Sequence, residues 1–389
     1  MTTHIPTKTH MIYTVAIIGF IFTLHIVIPM YSNSSYLSLF ADARTVGFIY
    51  MAGAAVSILG FLFAPGIIRR AGNYTFTLWL ILVQMFLFYG LISFTDSTII
   101  AIIFVLQMAV VSLIGLAMDI FLEGYTASDH VGAVRGLYTA TLNASWVVGP
   151  LIGSMLIDGD NFKNTYVAAL AMLFPLLYLV FKNFPKFADP NYIHLSPWQL
   201  MKHVSHNRSW IWLFIANFIL QVFYAWMVVY SPIYLNQVMD FSWGNIGIIL
   251  TVMLIAFPLT QYPLGKLADR KYGEKEIMAI GSGVMGIATV ALAFITSTSV
   301  LVWAIALFMT RIGAAAAEIM METYFFKTVS PRDSAALGLF RVTRPMAYFF
   351  APLITGLALV FTTSSYVFIA VGVVALVAVI PSLLIKDTN

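Results

Sequence analysis

Asp119-Ile-Phe-Leu-Glu123-Gly-Tyr125 returns, half a chain length later, as Glu318-Ile-Met-Met-Glu322-Thr-Tyr324. Carboxylates at this spacing share one face of a helix, and both copies lie in runs apolar enough to cross a bilayer. An acid in hydrocarbon is costly. It either pairs with a cation or carries a proton, charged where water reaches it and neutral where water is shut out. Steps of i, i+4, i+7 and i+11 along that face give Arg311, Ala315, Glu318 and Glu322 in one copy, and Ser112, Leu116, Asp119 and Glu123 in the other. Such stripes must look into the protein or a wet cavity rather than at lipid.

Three arginines, Arg311, Arg341 and Arg344, also fall inside apolar runs. Counting depth from the cytoplasmic side predicts a two-rung ladder, Glu322 with Arg341 and Glu318 with Arg344. The same charges, with Glu123, Arg69, Arg70, Asp269 and Arg270, could instead form a latch that only sets conformational balance. Arg311 lies near mid-span and keeps its charge at any accessible pH. It therefore needs a permanent anion, either Glu318 two turns away or an acidic substrate. Asp119 has no intramembrane arginine in its own half, so desolvation favours its protonated form. That makes Asp119 and Glu318 the candidates for proton coupling, with His25 as a third that could equally be a hydrogen-bonded packing residue.

Softer candidates for ligand contact are Gln107, Asn143 and Gln221, together with Gln84, Asn217 and Gln261, although such side chains also tie helices together. Tyr230 and Tyr234 flank the kink expected from Pro232 and could line an amphipathic pocket. His203 and His206 are spaced like metal ligands, but no other ligand cluster accompanies them and they read as part of an interfacial linker.

The elements that must position these residues are membrane helices. The chain has 389 residues, of which 61% are hydrophobic and 9% charged. A span needs roughly 20 apolar residues, and twelve such stretches begin near Met11, Thr45, Thr75, Thr98, Ala133, Thr165, Ser209, Trp243, Ile277, Val300, Ala335 and Tyr366. The alternation of membrane strands is absent, so the expected fold is all-α and multi-pass. The first span reads as an uncleaved signal anchor. The absence of cysteine excludes disulfides and thiolate metal sites. Lys8, Arg69, Arg70, Lys182, Lys186, Arg270, Lys275, Lys327 and Lys386 fall on one side of the spans, against Arg44 and Lys163 on the other, which places both termini in the cytoplasm. Pro185, Pro190 and Ser196-Pro197 mark a linker with a short amphipathic helix. The expected division is residues 1–184, a cytoplasmic linker 185–208, and residues 209–389.

The repeat continues beyond the acids. Gly136-Leu-Tyr matches Gly338-Leu-Phe, and Gly149-Pro150-Leu-Ile matches Ala351-Pro352-Leu-Ile. Pro65-Gly-Ile-Ile-Arg69-Arg70-Ala-Gly72 matches Gly265-Lys-Leu-Ala-Asp269-Arg270-Lys-Tyr-Gly273. The second of these loops resembles the hallmark Gly-x-Leu-x-Asp-Arg-x-Gly signature of the major facilitator superfamily, with one extra residue before Gly273. In the first copy Arg69 stands where that signature has aspartate. The fifth span, with Gly136, Ser145, Gly149-Pro150 and Gly153, resembles the superfamily's antiporter motif with one glycine turned to serine. The resemblance implies two pseudo-symmetric six-helix bundles, twelve transmembrane helices in all, around a central cavity with alternating access.

A duplicated membrane protein with buried acids reads as a proton-coupled secondary active transporter. The fifth-span glycines, many aromatics and 19 methionines lean toward export of a small organic or amphipathic compound across the cytoplasmic membrane in exchange for protons. The alternative is uptake or exchange of an organic anion held by Arg311. A channel or receptor fits less well with a duplicated bundle carrying buried opposite charges. An enzyme is not expected, since no His-Glu-x-x-His, Gly-x-Ser-x-Gly or phosphate loop is present. The expected partners are a small-molecule substrate, protons and the bilayer, with no cofactor and no nucleic acid, and the chain is expected to act as a monomer.

Overall fold

The computed structural model of the protein describes residues 8–125, 131–189, 207–270, 273–328, 334–361 and 364–386. Each expected span is met by a helix: α1 Lys8–Met30, α2 Ala43–Ala71, α3 Asn73–Ser93, α4 Ser97–Tyr125, α5 Val131–Met155, α6 Lys163–Asn183, α7 Arg208–Ile233, α8 Trp243–Arg270, α9 Glu274–Leu292, α10 Val300–Thr328, α11 Ser334–Phe361 and α12 Val367–Val377, which Val379–Leu384 prolongs. Among the described residues, ten of them are long and apolar enough to cross a membrane. A short helix, Asn33–Ser38, follows α1. The linker helix expected around Ser196 lies outside the described residues.

Local chemistry explains several boundaries. Asn207 caps α7, its side-chain oxygen accepting from the Ser209 and Trp210 amides at 3.0 and 3.4 Å. Asp42 caps α2 through the Thr45 amide at 3.0 Å, and its bonds to Thr45 hold the carboxyl below its ordinary range. Pro232 cannot donate to the helix ladder, and α7 passes at once into a π-helical turn, Tyr234–Val238.

The chain divides into two compact units, the first made of residues 1–41 and 56–192 and the second of residues 42–55 and 193–389. The division runs through the linker and also through α2. Its opening turns group with the second unit because Gly47 packs on Pro352, and the Tyr50 ring stacks on Tyr348 at 6.3 Å.

Within the first unit, α1 packs on α5 and α6, and α3 on α4 and α6. Within the second, α7 packs on α11 and α12, and α9 on α10 and α12. The pairings are the same six helices on, which is the duplication read in the sequence, now in three dimensions. Ser145 Oγ ties α5 to the Phe20 carbonyl of α1 at 2.9 Å. Asn217 and Trp226 tie α7 to Thr343 and Thr355 of α11 at 2.8 and 2.9 Å.

One ion pair fastens the second unit at a helix end. Lys327, in the last turn of α10, donates to Glu274 Oε1 in the first turn of α9 at 2.5 Å. The glutamate side chain is 1% exposed and the lysine 38%. Removing the lysine takes the ammonium away from a buried carboxylate, whereas removing the acid leaves an ammonium that water already reaches. Lys327→Met should therefore cost more than Glu274→Gln, about 3 kcal/mol against about 1. Thermal unfolding in detergent checks the order; equal losses would contradict it.

Candidate functional site

The charged face of α10 looks across the second unit at α7, α8 and α11. Arg311 is only 1% exposed. Its guanidinium carbon lies 5.2 Å from the Phe223 ring centroid and 5.0 Å from that of Tyr224, both on α7. Its Nε is buried without a hydrogen-bond partner. Two turns along, Glu318 receives two hydrogen bonds on one oxygen: Tyr224 Oη donates to Oε2 at 3.2 Å, and Gln261 Nε2 of α8 donates to the same atom at 3.3 Å. Arg311, Arg344 and Glu322 all act on Glu318 electrostatically.

Tyr224 joins the two charges, since its ring faces the guanidinium while its hydroxyl holds the carboxylate. The seven-residue step from Arg311 to Glu318 makes this possible, because it returns a side chain to the same helix face about 10 Å along the axis. Chemically the group is a cation on an aromatic wall next to an acid with neutral donors. It can bind an anion, carry a proton, or do both. Around it, Tyr348 hydrogen-bonds Arg344, and Tyr230 stacks on Trp226 at 5.8 Å. Tyr234 lies elsewhere in the unit, its hydroxyl 3.0 Å from Ser365 Oγ and its ring edge-on to Phe368.

Arg344, the expected partner of Glu318, acts on it electrostatically, and the hydrogen bonds of Glu318 described above come from α7 and α8. Sequence reasoning named Gln261 only among the softer candidates and paired neither Tyr224 with Glu318 nor Phe223 with Arg311. The side chains of Arg341, Asp269 and Arg270 lie outside the described residues, and with them the second rung and the loop latch.

The first unit places its candidates apart. Asp119 is partly buried on α4, and Glu123, one turn on, is exposed. His25 is fully buried, its Nδ1 bonded to the Phe22 carbonyl and its ring 5.3 Å from Phe22 and 5.9 Å from Phe88. Gln107 accepts from Gln84 at 3.4 Å. Asn143 and, in the second unit, Gln221 are partly buried, and Arg69 and Arg70 are exposed at the end of α2. Gly149 and Gly153 of the antiporter-like motif lie flat against Val27 and Ile28 of α1. Those glycines serve close helix packing, which any bundle of this kind needs, and they say nothing about direction.

The model of the family described as Major Facilitator Superfamily matches residues 11–257 and again 244–389. No curated protein matches the chain in sequence. Among solved structures, a crystal structure of a mutant of the nucleoside transporter NupG is similar in fold, with a TM-score of 0.79 and 13% identity over 96% of this chain and 99% of that one. With the duplicated helix pairings, the apolar spans and a family match over nearly the whole length, the chain belongs to the Major Facilitator Superfamily and is a multi-pass membrane transporter.

Proposed function

We propose that the protein is a proton-coupled secondary active transporter of a small organic substrate, working by alternating access in the cytoplasmic membrane with both termini inside. Glu318, and Asp119 at the repeated position, carry the proton. The observation that supports this most is Glu318 itself, a carboxylate inside a span held by a tyrosine and a glutamine, with Arg311, Arg344 and Glu322 in electrostatic reach. Opposed charges of this kind let the acid exchange a proton for another partner at small cost. Glu123, Glu322, Arg341, Arg344, Arg69, Arg70, Asp269 and Arg270 are assigned to gating, and His25 to packing. The fifth-span glycines pack on α1 and do not by themselves carry export in exchange for protons.

A nucleoside is the second reading. It is favoured by the stacked ring pairs Tyr50–Tyr348 and Trp226–Tyr230, which suit a flat base, and by a fold neighbour described as a nucleoside transporter.

The test is a thermal-shift screen of purified protein against organic anions, cations, sugars and nucleosides, followed by flux of the best hit in proteoliposomes with a pH-sensitive dye. Substrate movement should carry protons, and a hit that moves without any pH response would defeat the proton assignment. Asp119→Asn is expected to reduce gradient-driven accumulation about tenfold. Unchanged accumulation would remove Asp119 from the pathway.

A further inference from the structure

We propose that Arg311 is the recognition group for a substrate carboxylate, so that this transporter takes small monoanionic organic acids with an apolar body, each moving in the same direction as a proton. The inference rests on the proton role of Glu318 for its coupling half only.

Arg311 is buried in a span with its Nε unpartnered. A guanidinium carries five donors in one plane, and the one on Nε is buried without an acceptor. The rings of Phe223 and Tyr224 stand 5.2 and 5.0 Å from its carbon and offer cation–π attraction, but a ring centroid is no match for an in-plane N–H. The nearest acid on its own helix face is Glu318, two turns away, and Glu318 Oε2 already accepts from Tyr224 and Gln261. Buried donors without acceptors are costly. An acceptor brought from outside the chain would relieve that cost, and the planar fork fits a carboxylate with two parallel bonds.

The charge count selects the class of anion. The described charges are Arg311 and Arg344 against Glu318 and Glu322, and with Glu318 protonated they leave one net positive charge, which matches a single negative charge better than a phosphate dianion. The wall of Phe223, Tyr224 and Phe257 (the last two with ring centroids 6.0 Å apart) suits an apolar or aromatic body.

The same layout fixes the sign of coupling. Among the described residues, the charged and titratable groups that act on Glu318 are Tyr224 from α7, Arg311 and Glu322 from α10, and Arg344 from α11; Tyr348 of α11 also feels Arg311 and Arg344. An anion on Arg311 cancels one of the charges favouring ionised Glu318 and repels the carboxylate directly. Anion loading and protonation of Glu318 therefore promote each other, and the two travel together.

Binding of benzoate and hexanoate to the purified full chain is compared with benzamide and hexanamide at matched concentration, by thermal shift and calorimetry. The acids should bind and the amides should not. Arg311→Gln should weaken benzoate binding at least about 30-fold and Arg311→Lys, which keeps the charge but loses the fork, about tenfold. If Arg311→Gln does not elute as folded protein, Arg311→Lys and Phe223→Leu carry the test, the latter with about a threefold loss. Amides binding as well as acids, variants binding like the parent, or a response to inorganic phosphate, chloride or uridine alone would each overturn the assignment, as would no binding at all. In the parent, benzoate affinity should rise on acidification, and in Glu318→Gln this response should vanish. If the response persists there while Arg311 variants lose binding, anion recognition stands and the proton role of Glu318 falls.

Discussion

Glu318→Gln is expected to abolish concentrative transport while leaving exchange across a loaded membrane measurable. A tenfold proton gradient supplies about 1.4 kcal/mol per proton, so a transporter moving one proton with each substrate can sustain about a tenfold concentration ratio. Without a group that takes up the proton, the ratio should collapse to one. The amide keeps the shape of the acid and can still accept from Tyr224 Oη, which now lies 3.2 Å from Oε2. The helix face should therefore stay in place. Counterflow, in which labelled substrate exchanges for unlabelled substrate, needs no net proton movement and should survive. Tyr224→Phe gives the control: it removes one hydrogen bond to Glu318 but leaves a ring beside Arg311, now 5.0 Å from its guanidinium carbon. That variant should still concentrate substrate, with a displaced pH dependence. Both variants are measured in the same proteoliposomes. A Glu318→Gln protein that still builds a tenfold ratio would move the proton path to other residues.

Much of this site could be read before any coordinates, and the part that could not has a definite cause. Runs of apolar residues reveal helix number and starts because bilayer thickness imposes a length. Burial cost predicts that Arg311, Glu318 and Asp119 face inward, and Arg311 is buried. The duplication appears as matched acids in α4 and α10. Partnership across helices is different, because it depends on the rotation and crossing of each helix, and these are set by packing over the whole bundle. Matching acids to arginines by depth found Arg344 near Glu318, yet no periodicity could single out Tyr224 from the other aromatics of its span. The same limit applies to Gly149 and Gly153. Their motif was plain in the sequence, but the close seam they make against Val27 and Ile28 of α1 could be seen only in the fold.

Gly313→Leu should eliminate most folded protein. Gly313 is two residues beyond Arg311, a turn of about 200° round the helix, so it faces away from the charged site and against α9. A Cβ at that position would stand 2.6 Å from the Gly281 carbonyl oxygen, and one at Gly281 would stand 2.8 Å from the Gly313 oxygen and the Ala317 nitrogen. The obstacle in both cases is backbone, which cannot swing aside. In a bilayer there is little hydrophobic drive to hold helices together, so such backbone contact supplies much of the cohesion between α9 and α10. Each extra group forced into a packed seam costs about 1–3 kcal/mol, and leucine adds several. Gly66, where a Cβ meets nothing within 4 Å, is the matched control, and Gly66→Ala should leave yield unchanged. Size-exclusion yield from detergent extracts separates the two. Gly313→Ala is the more informative variant for function. It adds one methyl, folds with reduced stability, and pushes α10 toward α7, where the Arg311 and Glu318 contacts are made. Binding of a carboxylate probe should then fall by more than the stability loss alone removes. If affinity is untouched while stability drops, α10 does not transmit a shift at its α9 seam to its charged face, and that face is held by α7 and α8 alone.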